Sequence, residues 1–105
     1  MIVTTTSTIE GKPVQEYLGV INAQSIIGAN MFKDIIAGLR DVFGGRSKTY
    51  ERVLEEAKED AMRELVEKAQ SMGANGIVGV DLDFETVGAG GSMLMVIATG
   101  TAVRL

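Results

Sequence analysis

The side chains best placed to do chemistry are carboxylates. Asp81, Asp83 and Glu85 alternate along one predicted strand, so they share a face at a Cα spacing of about 7 Å between neighbours. One strand alone makes a poor chelate at that spacing. Brought together by assembly of several copies, the row could hold a hard cation such as Ca²⁺ or Mg²⁺, or screen a pore. Its simpler reading is an exposed acidic strand face. The second candidate is the loop Gly44-Gly45-Arg46-Ser47 at the start of a predicted helix, with Tyr50 just beyond it. Two glycines permit a tight turn with exposed backbone N–H groups, a helix N-terminus favours an anion, and Arg46 can add a bidentate contact. Neither the spacing nor the lysine of a Walker A loop is present, so the loop gives no signal for nucleotide binding. Its simpler reading is a helix–helix turn in which Arg46 pairs with Asp34, Asp41 or Glu51. Tyr50 at helical spacing reads as a core residue with its hydroxyl at the edge.

Composition narrows the chemistry further. The 105 residues include no cysteine and no histidine. That excludes disulfides, thiolate nucleophiles, imidazole acid–base catalysis and the usual zinc and copper sites. Soft metals would have only the thioethers of six methionines, and methionine on an apolar strand or helix is usually core or interface. No motif sets a nucleophile beside a base, so the expectation is a non-enzyme without a cofactor. Ten basic against 14 acidic residues leave a net charge of -4. That balance argues against nucleic-acid binding, which needs clustered Lys and Arg. The longest apolar run, Met93 to Ala98, is far shorter than the roughly 20 residues of a membrane-spanning helix. With no basic segment opening the chain, the reading is a cytoplasmic protein without membrane contact.

The elements that must position these residues follow from periodicity. Length predicts one domain, residues 1–105. Ile2 to Thr5 and Val14 to Ile27 read as strands around a turn at Glu10-Gly11-Lys12-Pro13. Asn30 is a candidate N-cap for a helix from Met31 to Phe43, whose stripe is Phe32, Ile35, Ile36, Leu39 and Phe43. Gly44 and Gly45 stop it. A second helix runs from about Ser47 to Met72, with Tyr50, Val53, Leu54, Ala57, Ala61, Leu65, Ala69 and Met72 facing inward. Its charged face pairs Glu59 with Arg63 and Glu64 with Lys68. Ile77 to Val87 alternates, Val78, Val80, Leu82 and Phe84 against the three carboxylates. Gly88 to Gly91 connects it to a last strand, Met93 to Arg104. The predicted fold is α+β, a small antiparallel sheet of about four strands with two helices on one face, in the order β-β-α-α-β-β.

The last strand carries the most informative pattern. Met93, Met95, Ile97, Thr99, Thr101 and Val103 form one face, and Leu94, Val96, Ala98, Gly100 and Ala102 the other. Both are apolar or small, so both need cover. Two helices cover only one face of such a sheet, and in a chain this short the cover for the other is a second copy. The expectation is a homo-oligomer, with Met93, Met95, Val96, Ile97 and Gly100 as candidate interface residues.

Several segments, taken together, resemble a known family. They are Tyr17-Leu18-Gly19-Val20, Gly28-x-Asn30, Gly44-Gly45-Arg46-Ser47 with Tyr50-Glu51, Gly73-Ala74-Asn75-Gly76 leading into Val78-Gly79-Val80-Asp81, and Gly100-Thr101-Ala102-Val103. In this order and spacing the chain is similar to the YbjQ-like family of uncharacterised bacterial and archaeal proteins. The resemblance implies a dodecin-like α+β fold, assembly into rings with the pentamer as the expected form, and a general description as heavy-metal-binding. It implies no reaction.

Overall fold

A computed structural model describes residues 1–39 and 48–105, with side chains for all of these except Leu39. Its elements are β1 (Ile2–Val3), β2 (Glu16–Ile27), α1 (Ala29–Leu39), α2 (Lys48–Ser71), β3 (Gly76–Val87) and β4 (Met93–Arg104), with a 3₁₀ turn at Ala89–Gly91 before β4. The order is the one periodicity predicts. The strands form one sheet in the spatial order β1-β3-β4-β2.

The sheet is mixed, which corrects the antiparallel expectation. β2 and β3 run antiparallel to β4. β1 runs parallel to β3. Sequence periodicity is blind to this, because strand direction is set by which edge a distant segment joins. β1 and β2 lie at opposite edges, so the residues between them must cross the sheet.

β4 is the central strand, and its alternation organises the protomer. Leu94, Val96, Ala98 and Ala102 are buried in one cluster with Ala57, Ala61, Leu65 and Ala69 of α2 and Ile35 of α1. The four α2 positions recur every fourth residue and make one ridge, and three of them are alanine, which lets the helix lie close over β2 and β4. α1 begins at Ala29, where the Gly28 carbonyl accepts the Phe32 N–H at 3.0 Å. Asn30 therefore sits inside the first turn and is not the cap. Met72 is 38% exposed, so the inward stripe of α2 ends at Ala69. On the charged face Glu64 pairs with Lys68 at 3.8 Å, while Arg63 pairs with Asp60.

Two bulges set which side chains face the helices. In β3 the pairing passes from Val78–Thr101 to Asp81–Thr99, so Gly79 and Val80 together oppose Gly100. Gly79 takes φ +62°, a left-handed conformation that glycine adopts without strain. The bulge shifts the phase of the strand. Ile77, not Val78, shares the helix-covered face with Val80 and Leu82, and Val78 turns to the other face beside Val103. This corrects the predicted alternation, which counted straight through Gly79. A second register shift lies between Tyr17 and Gly19 of β2.

Gly100 is required by close packing. A Cβ there would lie 2.7 Å from Ile77 Cγ2 and 3.3 Å from Val80 Cγ2. The bulge brings both branched side chains over Gly100, and only a residue without a side chain leaves them room.

Candidate functional site

The face of the sheet away from the helices holds the carboxylate row. Asp81 pairs with Thr99, Asp83 with Ile97 and Glu85 with Met95 on one side of β4. On the other side Asn22 pairs with Thr99, Gln24 with Ile97 and Ile26 with Met95. Side chains at paired positions share a face. Three rows therefore lie side by side: carboxylates on β3, Met93, Met95, Ile97 and Thr99 on β4, and amides with Ile26 on β2. Near the end of β4 this face is closed, since Val78 and Val103 are 4% and 0% exposed. From Thr101 to Met93 its β4 row is only half-buried. Val20 and Ile26 of β2 are 81% and 54% exposed.

The acidic row is electrostatically crowded. A side-chain hydrogen bond with Asp81 and the charge of Asp81 hold the Asp83 carboxyl above the usual aspartate range, with smaller contributions from local desolvation and from Glu85. The folded chain thus keeps a proton on Asp83 at a pH where the unfolded chain has released it. That contribution to stability is lost as pH rises from the ordinary aspartate value through the raised one. Thermal unfolding scanned upward through this acidic window is expected to show the loss, and Asp83→Asn to remove it. An identical pH profile in the variant would contradict the crowding.

The candidate interface residues divide between the two faces. Met93, Met95 and Ile97 lie on the open face. Val96 is 0% exposed beneath the helices, and Gly100 is buried beneath Ile77 and Val80. Neither is available to a partner. Both faces of β4 are apolar, and sequence alone could not tell which one the protomer covers for itself.

Gly44, Gly45, Arg46 and Ser47 lie outside the described residues, as do Asp41 and Phe43. Tyr50 is described, half-buried against the core at the start of α2.

Sequence reasoning missed one feature, a groove at the outer edge of β2. It is lined by Ser25, Ile27, Gly28 and Met31 on one side and by Val53 and Ala57 of α2 on the other, with Glu56 and Asp60 at its rim. Met31 is 55% exposed. The groove needs a strand edge and a helix distant in sequence to meet, and the visible hint was only the run of apolar residues on both sides of Gly28.

Among the described residues no group of three or more His, Cys, Asp or Glu side chains is placed to hold a metal ion. No described helix is long and apolar enough to cross a membrane.

These features define a small α+β domain, two helices on one face of a mixed sheet, with a partly uncovered opposite face. A protein of unknown function from Pediococcus pentosaceus, assigned to the DUF74 family, has the same fold: the TM-score is 0.66 at 19% identity, over 100% of this chain and 97% of that one. The YbjQ family model, described as "Putative heavy-metal-binding", matches residues 1–105. The chain belongs to that family. A UPF0145 protein of Caulobacter vibrioides is 59% identical over 105 residues, covering both chains completely. A UPF0145 protein of Geobacillus kaustophilus is 58% identical over 105 residues, covering this chain completely and 98% of the relative. None of these names assigns a reaction.

The heavy-metal description does not fit the donor set of this chain. Soft metals take thiolate, thioether or imidazole ligands, and the sequence has no cysteine and no histidine. Met93 and Met95 share the open face, but two thioethers on an apolar strand are a weak ligand set beside an unbroken apolar row.

Proposed function

We propose that this protein is a self-assembling, non-catalytic binding or scaffolding protein of the cytoplasm, and that its assembling surface is the open face of the sheet. The observation that supports this reading is the half-buried β4 row Met93, Met95 and Ile97, with the exposed Ile26 of β2 beside Met95. Contiguous apolar surface of this kind marks an interaction site, and a second copy supplies cover of matching size. A small ring, with the pentamer as its expected form, repeats the surface around an axis. The reading carries no metal or other cofactor, no nucleic acid and no membrane.

The test is light scattering of wild type and Ile97→Asp. A carboxylate in the middle of the open row should release protomers while the far-ultraviolet circular dichroism stays that of the folded chain. A folded variant with the wild-type mass would reject this face as the assembling surface.

A further inference from the structure

At the end of the sheet where β1, β2 and β3 begin and β4 ends, the protomer has an open cleft of about 480 Å³. That volume lies within the roughly 300–1,000 Å³ of small-molecule sites. Its apolar part is Ile2, Pro13 and Leu105, and its polar part is Lys12, Gln15 and Asn75. No acidic side chain among the described residues lines it. Backbone bonds fix the walls. The segment that crosses from β1 to β2 turns at Lys12, whose N–H donates to the Ile9 carbonyl at 3.1 Å. It is tied down at Gln15, whose N–H donates to the Arg104 carbonyl at 2.8 Å.

Asn75 joins three strand ends at this cleft. Its N–H donates to the Val103 carbonyl at 3.1 Å, and its carbonyl accepts the Ile2 N–H at 3.3 Å. Its Oδ1 accepts the Leu105 N–H at 2.7 Å. That last bond fixes which way the carboxamide points, since only its oxygen can accept. What Asn75 has left to offer is Nδ2, a donor. Lys12 offers a second donor, and among the described residues it forms no ion pair with a carboxylate. Gln15 Nε2 donates to the Pro13 carbonyl over a long 3.4 Å, a bond weak enough to exchange for a better acceptor. Glu16, the next residue, is engaged by Arg104 at 3.8 Å.

We infer that this cleft binds a small organic carboxylate, whose oxygens take hydrogens from Lys12 Nζ and Asn75 Nδ2 and whose apolar body lies against Ile2, Pro13 and Leu105. The donor set decides the class. One ammonium and neutral amides match a single negative charge shared by two oxygens. A phosphate carries about −1.5 to −2 at pH 7. It is commonly met by the planar fork of arginine or by a helix N-terminus, and neither lines the cleft. All six side chains belong to one protomer, so the site goes beyond the self-assembly reading and does not depend on it.

Titration calorimetry with benzoate and with hexanoate, an aromatic and an aliphatic carboxylate, tests the site. Wild type should give saturable heat with one site per protomer by about 10 mM, enough to fill a site with a Kd near 1 mM. Benzamide, neutral and of the same shape as benzoate, should give none. Two exposed positions carry the variants. Lys12→Met keeps the stem and removes the charge. Asn75→Asp keeps an oxygen for the Leu105 N–H and replaces the donor with a repelling oxygen. Each should weaken benzoate binding by roughly tenfold or more, the loss of one charge-assisted hydrogen bond, while Lys12→Arg retains it. If Asn75→Asp loosens the end of the sheet, Lys12→Met on the exposed turn carries the test alone. No heat with either carboxylate, equal binding of benzamide, tighter binding of inorganic phosphate, or unchanged binding in Lys12→Met would each overturn the site.

Discussion

Val96→Asp is expected to abolish folding, while Ile97→Asp, one residue further along the same strand, is expected to leave a folded chain that no longer assembles. The contrast follows from alternation on the central strand. Val96 is 0% exposed and packs in the cluster that joins the sheet to Leu65 and its neighbouring alanines. A carboxylate there loses the valine packing and has no cation to pair with among the described core residues. An unpaired buried charge costs several kcal/mol, about 3–5 kcal/mol where a buried pair is broken. Total stability of a small domain is about 5–15 kcal/mol, so the added loss of packing takes most of it. Ile97 lies on the open face and the protomer does not depend on its burial to the same degree. Circular dichroism and light scattering on both variants check the contrast. A folded Val96→Asp would mean that the helices do not cover this face.

Gly100→Val is expected to destabilise the protomer by about 3 kcal/mol, the upper part of the range for overpacking. For a domain near 100 residues that lowers the unfolding midpoint by roughly 10 °C or more. A Cβ at this position would come within 2.7 Å of Ile77 Cγ2, and the methyls of valine would press further toward Val80. Neither neighbour can withdraw freely, since Ile77 is 0% and Val80 8% exposed. Gly100→Ala should show a smaller loss of the same kind. Combining it with Ile77→Ala should cost less than the sum of the single changes, because the shortened neighbour makes room for the new methyl. Calorimetry of the four proteins measures the coupling, and strict additivity would contradict the close packing.

Much of the architecture is legible in the sequence, because helices and strands write their faces into it. The four-residue ridge Ala57, Ala61, Leu65, Ala69 and the two faces of Met93 to Arg104 could be read directly. Other things could not. The direction of β1 depends on a pairing with residues more than seventy positions away. The phase of β3 turns on Gly79, one glycine in a left-handed conformation, and counting by twos through it misplaces Val78. The choice of covered face on β4 is a tertiary fact, which is why Val96 and Gly100 read as interface residues and proved to be core. The carboxylate row was legible because Asp81, Asp83 and Glu85 lie beyond the bulge, where alternation is regular. What faces the row was not, since Asn22 and Gln24 join it through β4, well over fifty residues away in sequence.

The central claim is that one copy leaves a face that other copies cover. Native mass spectrometry of the purified wild-type chain, without added metal, tests it most directly. The account predicts a single assembled species at a whole-number multiple of the 11.2 kDa protomer, with no stoichiometric metal. A species at the protomer mass alone would contradict it.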